Sequence, residues 1–312
     1  MKLLALLVAL LIEQVRPLRQ GNRAHAAYGY FAQYLRQLLD AGQYRQGVMA
    51  WIAAVMPLTL LVLVADWLLW RLNGPLALLF NIGMLYFTVG FRRFSNFFNE
   101  INNLMKSGDV AAAREQLRRW RGEDSSELNS NDVARVAIEL GLLSSHRNVF
   151  GPVVWFMVFG PAGALLYRLS ALLQEQWLAR NKPESAESTE TGKFTQFAAR
   201  AFEVIDWAPA RLTAASFAVV GNFQDAVDCW RMQAAAWADR SQGIILASGA
   251  GALGVKLGGE LHEYGRVRYR PELGTGDEAD ADYLSSAVGL IWRAMVMWMV
   301  LACVVTIAHS LG

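Results

Sequence analysis

The fold class this chain predicts is all-α, a polytopic membrane helical bundle with cytoplasmic helical loops, and three observations predict it. Hydrophobic residue types make up 54% of the 312 residues and charged ones only 18%, with a positive mean hydropathy of +0.23; a soluble domain typically carries about 25% charged residues. Several apolar runs approach or exceed the ~20 residues a helix needs to cross a hydrocarbon core of ~30 Å. No stretch alternates apolar and polar residues with the period of a strand. The lipid bilayer is therefore the first partner expected, and the 11 tryptophans suit anchoring at its interfaces. A net charge of +2 gives no basis for a nucleic-acid partner. Two distant cysteines, Cys229 and Cys303, make neither a disulfide framework nor a metal-ligand spacing.

The elements follow in order. Met1–Ile12 is a short apolar run behind Lys2, read as an uncleaved membrane-embedded helix in preference to a signal-peptide core, because the basic "EQVRPLRQGNR" separates it from the "AHA" at Ala24–Ala26. Val48–Trp70 is a spanning segment, and Leu76–Val89 returns from it after the turn residues Asn73, Gly74 and Pro75, forming a helical hairpin. Val149–Leu173 and Tyr283–Leu311 are further spans. Ala210–Val220 is apolar but short, either a span or an interfacial helix. Glu13–Gly47 carries five arginines and two acids, and the segment from Arg92 to Arg147 is also arginine-rich. Both flank the first hairpin, so both can be cytoplasmic. The acidic linker Asn181–Gly192 reads as a flexible loop.

Three parts result: membrane helices with a basic loop and hairpin over residues 1–91, a polar helical region over 92–148, and a second membrane region over 149–312 with a glycine-rich polar segment at 247–276. In the polar region one helix starts at Ser107 or Asp109 and another at Ser130, Asn131 or Asp132, residue types that cap helices. Charges inside apolar runs are costly and mark functional candidates. Asp66 lies near the end of its segment, within reach of the interface. Arg168 follows Tyr167 well inside "GPAGALLYRL" and reads as facing the bundle or a cavity, whereas Arg293 has a snorkelling alternative. Gly160 and Gly163 let helices pack closely, and Pro161 breaks its helix one turn earlier.

The stretch "GAGALGVKLGGELHEYG", Gly249–Gly265, is the most unusual. It misses a P-loop: the lysine falls one place late and no Ser or Thr follows. A helix with a small face through Ala247, Gly251, Gly254 and Gly258, ending at Gly258–Gly259, is the reading, with Lys256 near its C-terminal end. Glu260, His262 and Glu263 are a metal candidate set weighed against a solvated turn. Arg266, Arg268 and Arg270 alternate, so an extended segment aims them to one side, which suits phosphate or carboxylate.

"GALGVKLGGELHEYG" and the "RPELG" after it resemble the C-terminal signature of the CobD/CbiB family. "AIE" at Ala137–Glu139, "FGPVVWF", "GPAGALLYRL" and "PARL" at Pro209–Leu212 are similar to that family in the same order, from about Arg92 to the C-terminus. The chain departs where the family carries "GDP…HP", "GRDT" and "AEN…D": it has "EQVRPLRQGNRAHA", "RGEDSSEL" and "LLSSHRNV" instead. "SHRNVFGPVVWF" and "VIDWAPARL…GNFQDAVDCW" are similar to AmpE, a related membrane protein tied to β-lactamase induction.

The family resemblance implies a multi-pass protein of the bacterial inner membrane. It also implies a ligase that joins cobyric acid to aminopropanol or its phosphate, with ATP and Mg2+ as cofactors. On that reading Glu139 is a metal ligand or base and Arg168 a catalytic partner, while His146, Arg147, Tyr167, Lys256, Arg266, Arg268 and Arg270 contact ligand or phosphate. Asp206 pairs with Arg211. The AmpE resemblance implies instead a non-enzymatic sensor of a muropeptide-like cell-wall fragment.

Overall fold

The computed structural model describes residues 2–15, 23–40, 43–179, 193–263 and 266–311. Asn181–Gly192, the acidic linker, lies outside the described residues. Helix is the dominant element, as composition and periodicity dictate. The chain runs α1 (Lys2–Val15), α2 (Arg23–Leu39), α3 (Tyr44–Leu72), α4 (Gly74–Thr88), α5 (Phe91–Lys106), α6 (Val110–Arg121) and α7 (Ser130–Ser145). A π-helical turn at His146–Phe150 leads into α8 (Gly151–Ala179), followed by α9 (Lys193–Val220), α10 (Phe223–Gln233), α11 (Arg240–Leu253) and α12 (Ala281–Leu311). Between α11 and α12 lie short strands: β1 (Val255–Lys256) parallel to β4 (Asp277–Glu278), and β2 (Leu261–Glu263) antiparallel to β3 (Arg266–Arg268). The absence of strands expected from the sequence therefore fails at this one loop. Strands of two or three residues are too short to show an alternation.

Three described stretches are long and apolar enough to cross a membrane: Tyr44–Leu72, a window within Ser130–Leu178, and Ala281–Ala308. Twenty-nine residues make α3 roughly 44 Å long at ~1.5 Å per residue. Its outward face carries Leu60, Leu61, Val64 and Trp67, all exposed, the surface a lipid-facing helix needs. Asn73 closes α3 and opens α4: its amide donates to the Leu69 carbonyl, its side chain accepts from the Leu76 amide, and Pro75 sits in the first turn. That one residue makes the predicted hairpin.

Packing groups the segments differently from their sequence order. One compact unit comprises residues 1–90 with 151–207, the other 91–150 with 208–312. The core of the first gathers Trp51, Ala54 and Val55 of α3, Leu165, Leu169 and Trp177 of α8, and Phe194 of α9. Gly47 is required there, since a Cβ on it would stand 2.1 Å from the Phe194 carbonyl oxygen. In the second unit α10 packs on α11, where a Cβ on Gly251 would meet the Asp225 carbonyl at 2.4 Å. Cys229 is fully buried on α10, and burial pushes its thiol up, so it packs as a neutral side chain.

In the polar region, Asp109 caps α6, one of the two residues expected. The start of α7 is corrected by one residue. Asn129 is the cap, accepting from the Asp132 amide, and Asp132 reaches back to the Asn129 amide to complete a capping box.

Candidate functional site

The second unit carries a polar cavity of about 280 Å³ walled by the start of α7 and the loop after α11. The loop owes its path to glycine. Helix α11 stops at Leu253, because Gly254 takes the left-handed conformation (φ 67°) that ends a helix. The small-faced helix expected to reach Gly258–Gly259 is thus shorter, and only Ala247 and Gly251 of that stripe lie on it. Lys256 is not a helical residue but part of β1.

Gly258 and Gly259 are consecutive left-handed residues, at φ 75° and 71°. A Cβ on Gly258 would lie 2.0 Å from the Pro271 carbonyl oxygen. The close approach lets Leu257 and Leu273, both buried, exchange backbone hydrogen bonds of 2.8 and 2.9 Å. The loop is a hook whose tip is bare backbone.

Glu139 on α7 and Arg270 hold this hook. Arg270 Nη1 donates to Glu139 Oε2 at 2.6 Å and Nη2 to Oε1 at 3.2 Å. Glu139 Oε1 also accepts the Gly258 amide at 2.8 Å. The guanidinium donates further to the carbonyls of Gly258 (3.1 Å) and Gly259 (3.4 Å) and lies 5.8 Å from the Trp237 ring centroid. Both side chains are nearly buried, at 6% and 12% exposure. Glu139 is thus no solvated helix-face residue: two residues distant in sequence fold a buried, bidentate charge pair around a glycine tip.

Asp132, Arg135 and Glu139 recur at i, i+3 and i+7, one face of α7 turned toward the hook. Arg135 Nη2 donates to the Asp132 carboxylate and to the Glu260 carbonyl. Its Nε is buried without a hydrogen-bond partner. Asn131 Nδ2 donates to Glu278 Oε2 at 3.0 Å. Lys256, Glu260, His262 and Glu272 also line the cavity. Lys256 is exposed and makes no hydrogen bond or ion pair among the described residues. Asp132, Arg135, Glu272 and Glu278 were missed in the sequence reading. The helical spacing of the α7 residues was the available signal; nothing local pointed to Glu272 or Glu278.

The other expected residues distribute as follows. Glu260 and His262 line the cavity, while the Glu263 and Arg266 side chains lie outside the described residues. Among the described residues no group of three His, Cys, Asp or Glu side chains is placed to hold a metal ion alone. Of the segment expected to be extended, Arg266–Arg268 forms β3. Arg268 is exposed there, but Arg270 turns back onto Glu139 and so does not share its direction. His146 is buried in the second unit, its Nδ1 2.9 Å from Thr213 Oγ1, and Arg147 is half-buried on the same π-helical turn.

Tyr167 and Arg168 belong to the first unit and are buried. Tyr167 donates to Asp206 Oδ1 at 2.8 Å, a partner for Asp206 that the sequence reading did not foresee. A Cβ on Gly151 would strike the Tyr167 hydroxyl at 2.4 Å, and one on Gly163 the Trp155 carbonyl at 2.2 Å. The break foreseen at Pro161 is present: Gly160 takes φ 66°, ψ −152° inside α8.

Comparison with known proteins adds lineage to this geometry. No solved structure matches. The chain is 35% identical over 302 residues to the cobalamin biosynthesis protein CobD of Stutzerimonas stutzeri, covering 95% of each chain. To the protein of the same name from Chromobacterium violaceum it is 34% identical over 241 residues, covering 76% of this chain and 74% of that one. With the Mycobacterium tuberculosis protein of that name it shares 29% over 199 residues. Residues 3–291 match the family described as CobD/Cbib protein, and the chain belongs to that family.

Proposed function

We propose that this chain acts in cobalamin biosynthesis at a bacterial inner membrane, forming an amide between the carboxylate of cobyric acid and the amine of aminopropanol or its phosphate, driven by ATP. The observation that carries the reading is the cavity of the second unit, lined by Arg135, whose buried Nε has no partner, by Lys256, which has no ion pair among the described residues, and by the Gly258–Gly259 backbone. A buried donor without a partner beside an exposed lysine suits an anionic, phosphate-bearing ligand. The shared name of the relatives supports the pathway.

Joining a carboxylate to an amine requires a leaving group on the carboxylate. ATP supplies it by transferring its terminal phosphoryl group to a carboxylate oxygen, and the amine then displaces phosphate, losing one proton. The residues fit Mg2+ carried with ATP, because Mg2+ is usually held by one or two carboxylates plus substrate phosphates rather than by a protein cage. Glu260 and Glu272, which line the cavity, would be those carboxylates, and Mg2+ held there would neutralise phosphate charge.

Lys256 and Arg135 place positive charge where phosphate charge develops. His262 lines the same cavity and is the residue we assign to take the amine proton. Glu139 and Arg270 act on the loop that carries these groups, keeping the Gly258–Gly259 backbone in place.

The test is turnover. The full chain in detergent is given cobyric acid, aminopropanol or its phosphate, ATP and Mg2+, and the amide is followed by mass spectrometry together with phosphate release. Amide formation that Lys256→Met lowers at least tenfold, with folding intact, is expected. A protein that forms no amide and shifts its melting temperature only with an anhydro-muropeptide would overturn the ligase reading in favour of an AmpE-like sensor.

A further inference from the structure

The helix break in the first unit does work that the amide-forming reading leaves unexplained. Pro161 has no amide hydrogen, so the carbonyl of Met157, four residues earlier, has no helical donor. Gly160, outside the helical region at φ 66° and ψ −152°, opens the turn further. An ammonium group fills the gap: Lys2 Nζ on α1 donates to the Met157 carbonyl at 2.9 Å and the Val158 carbonyl at 3.4 Å.

Two more helices of this unit contribute. Asp66 Oδ2, on α3, lies 3.7 Å from the point where a Cβ on Gly160 would stand, and the Lys2 charge acts on its carboxylate. Asn81, buried on α4, donates to Asp66 Oδ1 at 2.6 Å and to the Ala77 carbonyl at 2.8 Å. Its amide thereby fixes the carboxylate. Among membrane-length helices an isolated charge is costly, and Lys2 with Asp66 sums to zero.

We propose that the break in α8 is a binding site for a small monovalent cation of the primary-ammonium class, with Lys2 as its tethered occupant. Two carbonyl oxygens accept from the N–H groups, and the nearby Asp66 carboxylate supplies a single balancing charge. A free ammonium or methylammonium ion satisfies the same acceptors once the lysine is removed. Choline has no N–H to donate, and a bare potassium ion has no directional hydrogen bonds to match them.

Lys2→Met in the full detergent-solubilised chain tests this, by melting temperature in ammonium, methylammonium, potassium and choline chlorides at matched ionic strength. A variant lower than the unmutated chain by roughly 5 °C in choline, and restored saturably by ammonium and methylammonium, is expected. The unmutated chain should respond equally to all four salts. A variant as stable as the parent, or restored equally by choline or potassium, overturns the assignment. If Lys2→Met does not fold, the neutral pair K2M/D66N replaces it. That pair should fold and show no ammonium response beyond its choline control, and a specific response in it would overturn the role given to Asp66.

Discussion

Glu139→Ala removes the centre of the glycine hook, and its cost follows from the geometry. The substitution strips Arg270 of contacts at 2.6 and 3.2 Å and the Gly258 amide of its acceptor at 2.8 Å. Removing one partner of a buried ion pair costs about 3–5 kcal/mol. Arg270 keeps the carbonyls of Gly258 and Gly259 and is 12% exposed, which sets the low end of that range, ~3 kcal/mol. The orphaned amide adds about 1 kcal/mol. For a unit of this size ~3–4 kcal/mol corresponds to a melting-temperature fall of roughly 6–16 °C.

Trp237, beside the guanidinium, is a local reporter among the fluorescence changes, and hydrogen exchange over residues 254–279 is the regional one. Fast exchange confined to that loop is expected. The neutral pair Glu139→Leu with Arg270→Leu should recover a large part of the loss, because no unpaired charge remains. A fall under about 2 °C for Glu139→Ala, with unchanged exchange, would refute the reasoning that this pair fixes the loop.

Gly258→Ala meets both a left-handed backbone and the Pro271 carbonyl at 2.0 Å. It should destabilise by at least ~2 kcal/mol and weaken ATP binding more than tenfold by calorimetry. Tyr167→Phe deletes the 2.8 Å bond to buried Asp206 and should cost about 1.5–3 kcal/mol in thermal unfolding, with Arg293→Gln, an exposed site, near neutral as a control. Glu115 accepts from Arg118 and Arg119, which draw its carboxyl from 4.5 down to about 2. Its folded pKa is depressed, so the contribution is present above about pH 4.5 and lost as pH falls towards 2. The melting difference between Glu115→Gln and the parent should therefore be small at pH 7 and vanish across that window.

The hairpin at Asn73–Pro75, the apolar spans, the cap at Asp109 and the break at Pro161 were all legible in the sequence. Each depends on residues within a few positions of one another: a cap, a missing amide, or a run of apolar side chains. The family was legible because its motifs are contiguous strings. The tertiary structure alone decided that Glu139 meets Arg270, that Gly254 rather than Gly259 ends α11, that Tyr167 donates to Asp206, and that Lys2 reaches the carbonyls of α8. Those outcomes join residues as many as 156 positions apart. No propensity or spacing encodes such a pairing, because it depends on which buried charges and orphaned carbonyls the packed helices bring within hydrogen-bond reach.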